Sequence, residues 1–78
     1  MIAVVEDEKE LCDSLKLLLT DKGYEIVTAG SCGEADKFIG NPQIDMFLLD
    51  VKLPDGNGFD ICRKIRKSSE VPVIFLTS

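Results

Sequence analysis

Four short runs of apolar residues divide the chain and predict β-strands. They are MIAVV at the start of the chain, residues 24–29, residues 44–50 and residues 71–77. Short apolar runs that are bounded by turn residues are typical of buried strands. The third run is apolar almost throughout, which favours a strand that is covered on both faces of a parallel sheet.

The segment after the first strand has the spacing of a helix. Its leucines recur at i, i+4, i+7 and i+8, as in a helix with one apolar stripe: Leu11, Leu15, Leu18 and Leu19. Gly23 follows where such a helix is expected to end.

Two further helices are predicted between the later strands. Ser31 and Glu34 form a capping-box pattern that opens a shorter helix. The residues that share one face of this helix are Ala35, Phe38 and Ile39. The residues that end it are Gly40, Asn41 and Pro42. A third helix follows Gly58, with Ile61, Cys62 and Ile65 directed inward. The order β-α-β-α-β-α-β predicts an α/β fold with a parallel sheet and right-handed crossovers.

Composition narrows the classes of function. The chain has 78 residues and a net charge of −5, with no basic cluster, so direct nucleic-acid binding by these residues is not expected. Cys12, Cys32 and Cys62 are widely spaced, which is typical of small core residues in a reducing compartment. There is no signal-peptide pattern and no apolar run of membrane-spanning length, so a cytoplasmic location without membrane contact is expected.

Three of the predicted strands run into polar residues. The first is followed by Glu6 and Asp7, the third ends at Asp50, and the fourth ends at Thr77 before Ser78. Acids at strand ends often simply begin solvated loops. However, sites in parallel sheets form beyond the carboxyl ends of the strands. The coincidence of three polar ends with the PDGNG turn after Asp50 therefore favours one shared pocket.

The chemistry of such a pocket is restricted by charge. Two carboxylates about 5 Å apart repel by roughly 3 kcal/mol at an effective dielectric constant near 20. The chain has no histidine, and no cysteine lies at these strand ends, so Mg²⁺ is expected rather than zinc. A carboxylate beside Mg²⁺ can attack phosphorus and form an aspartyl phosphate.

Four fragments of the chain resemble one known family. They are VVEDE, GYEIVTA, LLDVKLPDGNGFDICRKIR and VPVIFLTS, and in this order they resemble the receiver domain of two-component response regulators. The resemblance implies a flavodoxin-like parallel sheet of order 2-1-3-4. It also implies that residues 1–78 are the N-terminal two-thirds of a receiver domain, with the last helix-strand-helix missing.

The resemblance also implies roles for individual residues. Asp50 matches the phosphoacceptor, Asp7 the acid that contacts Mg²⁺ directly, and Glu6 its neighbour, which acts through water. The main-chain carbonyl of Lys52 matches the third protein ligand of the metal, and the Lys52 side chain lies where the family tunes dephosphorylation. Thr77 matches the hydroxyl that binds the phosphoryl group.

The function that the resemblance implies is two-component signalling. A sensor histidine kinase would donate the phosphoryl group to Asp50. The domain would assist its own phosphorylation and dephosphorylation without being an enzyme. The fragments GYEIVTA and DICRKIR are similar to regulators that control transcription through a DNA-binding winged-helix domain, which lies outside these residues.

The sequence departs from the family pattern in one respect. The family continues with a lysine at the end of a fifth strand, and no lysine follows the fourth strand here. Because the fifth strand and fifth helix of the family pattern are missing, the edge VPVIFL and one sheet face are expected to be open, which favours self-association. The alternative function is a receiver fragment that cannot be phosphorylated and acts only in interaction or dimerisation.

Two other classes of function are disfavoured. A phosphatase with an Asp nucleophile requires a second acid two residues later, where Lys52 lies. Nucleotide or flavin binding is disfavoured because no glycine-rich loop follows the first strand.

Overall fold

A computed structural model describes residues 1–76 and contains a four-stranded parallel sheet and a small hairpin. The strands are β1 (Ile2–Val5), β2 (Ile26–Ala29), β3 (Met46–Asp50), β4 (Lys52–Leu53), β5 (Gly56–Asn57) and β6 (Val73–Leu76). The sheet has the order β2-β1-β3-β6, and β4 pairs antiparallel with β5. Since β6 is the fourth of the long strands, the predicted order 2-1-3-4 is confirmed.

Three helices connect these strands. They are α1 (Lys9–Asp21), α2 (Cys32–Ala35) and α3 (Gly58–Arg66). The end of α1 is set by Gly23, which has a φ of 92°. The Gly23 amide donates to the Thr20 carbonyl and the Tyr24 amide donates to the Leu19 carbonyl, the hydrogen-bond pattern of a Schellman cap. Gly23 therefore ends the first helix as its position predicts.

The second helix is shorter than its pattern predicts. Its start is as expected, because the Ser31 hydroxyl accepts a hydrogen bond from the Glu34 amide at 3.1 Å. After four residues, however, α2 tightens into a 3₁₀ turn, Asp36–Phe38. Gly33, within α2, weakens the helix, and Gly40, with a φ of 83°, lies two residues after the 3₁₀ turn.

Apolar clusters cover both faces of the sheet. On one face Phe47 and Leu49 pack with Ile61 and Ile65 of α3, which confirms the predicted inward face of that helix. On the other face Leu48 belongs to a cluster with Cys12 and other residues of β1 and α1. Alternate residues of β3 are thus buried against opposite layers, as the apolar third run predicts.

The stripe by which α1 contacts the sheet differs from the leucine pattern. Cys12, Leu15 and Leu19 belong to the core cluster, whereas Leu11 and Leu18 are 37% and 56% exposed. A helix buries only one narrow face, and here that face is centred on the small Cys12 side chain. Within residues 1–76, no helix has both the length and the apolar character needed to cross a membrane.

The β6 strand lies at the edge of the described sheet. It pairs with β3 from Phe47↔Val73 to Asp50↔Leu76, and no second partner strand occurs among residues 1–76. Ile74 is 48% exposed on this strand. The open edge of the fourth predicted strand is therefore present in the part of the chain that the structure describes.

Candidate metal centre

Three carboxylates meet where β1 and β3 end. These strands are adjacent and in register up to Val5↔Leu49, so the residues that follow them, Glu6 and Asp7 on one side and Asp50 on the other, come together. One ligand oxygen from each of the three acids lies within 4.8 Å of the others. Glu6 and Asp50 are only 5% and 8% exposed, and Asp7 is exposed. The structure thus brings together three of the predicted site residues.

Glu6 has the most strongly perturbed acidity in this cluster. The pKa of its carboxyl is raised from 4.5 to about 7, mainly by burial. The hydrogen bond from the Glu8 amide lowers this pKa, and the adjacent carboxyl groups of Asp50 and Asp7 raise it. That amide donates to Glu6 Oε2 at 3.0 Å. A fraction of Glu6 is therefore protonated near neutral pH unless a cation is bound.

The backbone of Asp50 is fixed by a close contact with Gly58. A Cβ atom at residue 58 would lie 2.3 Å from the Asp50 carbonyl oxygen, so only glycine fits. The Gly58 amide also donates to the Val51 carbonyl at 2.9 Å. The start of α3 thus packs directly onto the strand end that carries Asp50.

The segment between Asp50 and α3 forms the hairpin of β4 and β5. The Lys52 amide donates to Asp50 Oδ1 at 3.4 Å, and Lys52 pairs with Asn57 across the hairpin. The Asn57 side chain accepts from the Asp60 amide at 3.0 Å and caps α3.

Asp55 is a structural residue that the sequence reasoning missed. Its carboxylate accepts hydrogen bonds from the amides of Cys32 and Gly33, at the start of α2. The only available signal was an acid in a turn. Its partners are 23 and 22 residues away, so no local spacing reveals them.

One predicted site residue falls outside the described part of the chain. Thr77 follows Leu76, the last residue that the structure describes, and Leu76 pairs with Asp50 across β3 and β6. The expected convergence of the fourth strand end with the other two therefore stays a prediction.

The carboxylate cluster fits a hard divalent cation. Its donors are all carboxylate oxygens, which Mg²⁺ prefers, and two of the three acids are buried. The ion pairs found within residues 1–76 involve neither Glu6, Asp7 nor Asp50. Among the described residues, no protein cation offsets the charge of the cluster.

Comparison with known proteins identifies similar domains. The family model for the response regulator receiver domain matches residues 2–78. The non-phosphorylated HemR receiver domain from Leptospira biflexa is 38% identical, with a TM-score of 0.93 over 97% of this chain. A two-component response regulator from Clostridium difficile is 31% identical, with a TM-score of 0.89 over 99% of this chain.

A third similar structure was solved with a ligand. The response regulator TrrA from Thermotoga maritima, in complex with Mg²⁺-BeF, is 36% identical, with a TM-score of 0.88 over 97% of this chain. The chain spans 62%, 66% and 67% of the lengths of the HemR, Clostridium difficile and TrrA chains, respectively.

Replacing Gly58 with alanine is expected to destabilise the protein. The new Cβ would overlap the Asp50 carbonyl oxygen, a backbone atom that cannot rotate away. We expect a loss of about 1–3 kcal/mol or more in the free energy of unfolding, measured by urea denaturation. Gly33→Ala is the matched control, because a Cβ there meets only ordinary contacts, the nearest at 3.5 Å, and helical alanine is favoured over glycine. Equal stability of Gly58→Ala and the unsubstituted protein would contradict the close contact.

The metal-free protein is expected to lose stability as the pH rises toward 7. Because the folded state raises the Glu6 pKa from 4.5 to about 7, it binds more protons than the unfolded state between these values. This contribution is full below pH 4.5 and is lost as the pH rises through about 7, and it amounts to at most about 3 kcal/mol.

Urea denaturation in a chelator at pH 5 and pH 8 measures this effect. Glu6→Gln removes the titrating group and is expected to flatten the fall in stability between the two pH values. An unchanged pH dependence in Glu6→Gln would assign the effect to other acids.

Proposed function

Because this chain belongs to the response regulator receiver domain family, we propose that Asp50 accepts a phosphoryl group from a sensor histidine kinase. Receiver domains bind Mg²⁺ in an acidic pocket and act with such kinases. The observation that carries the proposal is the cluster of Glu6, Asp7 and Asp50 oxygens within 4.8 Å of one another. The contact of Gly58 with the Asp50 carbonyl supports it, because it fixes the acceptor's backbone.

The residues that would hold Mg²⁺ are Glu6, Asp7, Asp50 and the main-chain carbonyl of Lys52. The oxygen donors of the three acids suit this ion, and TrrA, a similar protein, was solved with Mg²⁺-BeF. When bound, Mg²⁺ would neutralise negative charge on the carboxylates and on the phosphoryl oxygens. Glu6 would act through a water molecule and Asp7 directly, as the family resemblance implies.

The proposed transfer is an in-line displacement at phosphorus. An Asp50 carboxylate oxygen forms a bond to phosphorus while the bond from phosphorus to the donor imidazole nitrogen breaks. The nitrogen keeps the electron pair of that bond, and a proton taken up from solvent by the imidazole ring leaves the kinase histidine in its neutral form. Positioning and charge neutralisation supply most of the catalysis in such transfers. The domain would thus assist its own phosphorylation without being an enzyme.

Two further residues have roles in this proposal. Thr77 would donate a hydrogen bond to the phosphoryl group, and it follows Leu76, which pairs with Asp50. The exposed Lys52 side chain, two residues from the acceptor, would tune the rate of dephosphorylation.

The wider function is proposed from the resemblance. Residues 23–29 and 60–66 resemble segments of regulators that control transcription through a winged-helix domain. Phosphorylation of Asp50 would therefore control DNA binding by such a domain. A cytoplasmic location is part of the proposal, and the free thiols of Cys12, Cys32 and Cys62 support a reducing compartment.

A second candidate function is association without phosphorylation. The β6 edge strand, with Ile74 48% exposed, favours it because open strand edges and apolar side chains pair with other chains. This alternative predicts a folded protein that accepts no phosphoryl group.

Intact mass after incubation with acetyl phosphate and Mg²⁺ tests the proposal. We expect one phosphoryl adduct on the unsubstituted protein, and none on Asp50→Asn or when a chelator removes Mg²⁺. Asp21→Asn is the matched control and should keep the adduct, because Asp21 lies at the far end of α1. No adduct on a protein that is folded by circular dichroism would overturn the proposal and favour the association role.

A further inference from the structure

The turn between β4 and β5 is tied to α2 by the carboxylate of Asp55. Asp55 Oδ1 accepts from the Cys32 amide at 2.7 Å, and Oδ2 accepts from the Gly33 amide at 3.0 Å. These are the first two amides of α2, which have no acceptor within their own helix. The same bonds lower the pKa of the Asp55 carboxyl, so both oxygens stay available as acceptors. One side chain thus connects two segments that are distant in sequence.

The next residues of the hairpin also pack against the start of α2. A Cβ atom at Gly56 would lie 2.9 Å from Cys32 Sγ. The Cys32 thiol donates a weak hydrogen bond to the Asn57 carbonyl, with a distance of 3.8 Å between sulfur and oxygen. The hairpin therefore rests on α2 through three consecutive residues, Asp55, Gly56 and Asn57.

The hairpin depends on this support because it is very small. Each of its strands has two residues, and an isolated two-stranded hairpin is at best marginally stable in water. Its base is held by the Gly58 contact with Asp50, whereas its tip is held by Asp55. Loss of the Asp55 bonds would free the tip to move relative to the carboxylate cluster.

The hairpin carries a group that the proposed site requires. Lys52 begins β4, its amide donates to Asp50 Oδ1, and its main-chain carbonyl is a proposed Mg²⁺ ligand. Mg²⁺ tolerates little deviation from octahedral geometry, so a ligand on a loose hairpin binds it poorly.

We propose that Asp55 is a positioning residue, which holds the Lys52 carbonyl in place for Mg²⁺ by anchoring the hairpin to α2. This inference rests on the proposed function of the carboxylate cluster. Residues that hold metal ligands in place commonly contribute about 10- to 100-fold to metal affinity. If Asp55 served only to cap α2, its loss would lower stability and leave the Mg²⁺ affinity of the folded protein unchanged.

The test is a Mg²⁺ titration of the intact Asp55→Ala protein at a temperature where the protein is folded. Amide chemical shifts measure the binding. We expect the Kd for Mg²⁺ to rise about tenfold. We also expect faster hydrogen exchange at the Lys52 amide, which reports the freed hairpin without Mg²⁺. Asp55→Asn keeps one acceptor oxygen and should give a Kd between those of Asp55→Ala and the unsubstituted protein.

Asp21→Ala is the charge-matched control. It removes one carboxylate at the last residue of α1, so an unchanged Kd there separates positioning from a general loss of negative charge. If Asp55→Ala does not fold, Gly56→Ala replaces it, since its Cβ would press on Cys32 Sγ and displace the hairpin. The same rise in Kd is expected for Gly56→Ala.

Two negative results have different meanings. If the unsubstituted protein binds no Mg²⁺, the proposed function of the cluster fails, and the inference fails with it. If the unsubstituted protein binds Mg²⁺ and accepts a phosphoryl group, but Asp55→Ala binds Mg²⁺ equally well, only the inference is overturned.

Discussion

Mutual repulsion among Glu6, Asp7 and Asp50 is the constraint around which this domain is organised. Their oxygens lie within 4.8 Å of one another, and two of the three side chains are buried. At such distances each pair of charges repels by roughly 3 kcal/mol at an effective dielectric constant near 20. Burial, and after it this crowding, raises the pKa of Glu6. The rest of the fold must hold the three acids together against this repulsion.

The sheet supplies the holding force. Apolar residues of β3 are buried on both faces, and the parallel pairing with β1 up to Val5↔Leu49 keeps the two strand ends side by side. Gly58 then brings the start of α3 onto the Asp50 carbonyl. The acids are thus presented by the most buried strands of the molecule, and the loops that follow determine how each carboxylate is oriented. A bound cation would neutralise the carboxylates, and the relief of their repulsion would add to the free energy of cation binding.

Local signals account for the parts of the structure that the sequence predicts well. Apolar runs place the long strands, Ser31 caps the helix that follows it, and Gly23 ends α1. The order of the sheet follows from the family resemblance, and with that order the meeting of Glu6, Asp7 and Asp50 follows from the rule that sites form beyond the carboxyl ends of parallel strands. These features depend on residues that are close in sequence, or on a strand arrangement that has few alternatives.

Other features depend on tertiary contacts that no spacing reveals. The leucine spacing predicts the buried face of α1, but in the structure Cys12 lies at the centre of that face. The sheet beneath the helix determines which face is buried. The helix α2 is short because Gly33 weakens it, even though Asp55 of the hairpin accepts hydrogen bonds from its first two amides. The hydrogen bonds from the start of α2 to Asp55 join residues more than twenty positions apart. They can be recognised only in the folded structure, where the hairpin lies beside α2.

The most direct test of the account is the number of protons released when Mg²⁺ binds. Calorimetric titration in buffers of different ionisation enthalpy measures this number. With a Glu6 pKa of about 7, binding at pH 7 is expected to release about half a proton, and binding at pH 9 almost none. Glu6→Gln should release almost none at either pH. Tight Mg²⁺ binding without proton release at pH 7 would contradict the claim that crowded carboxylates form the site.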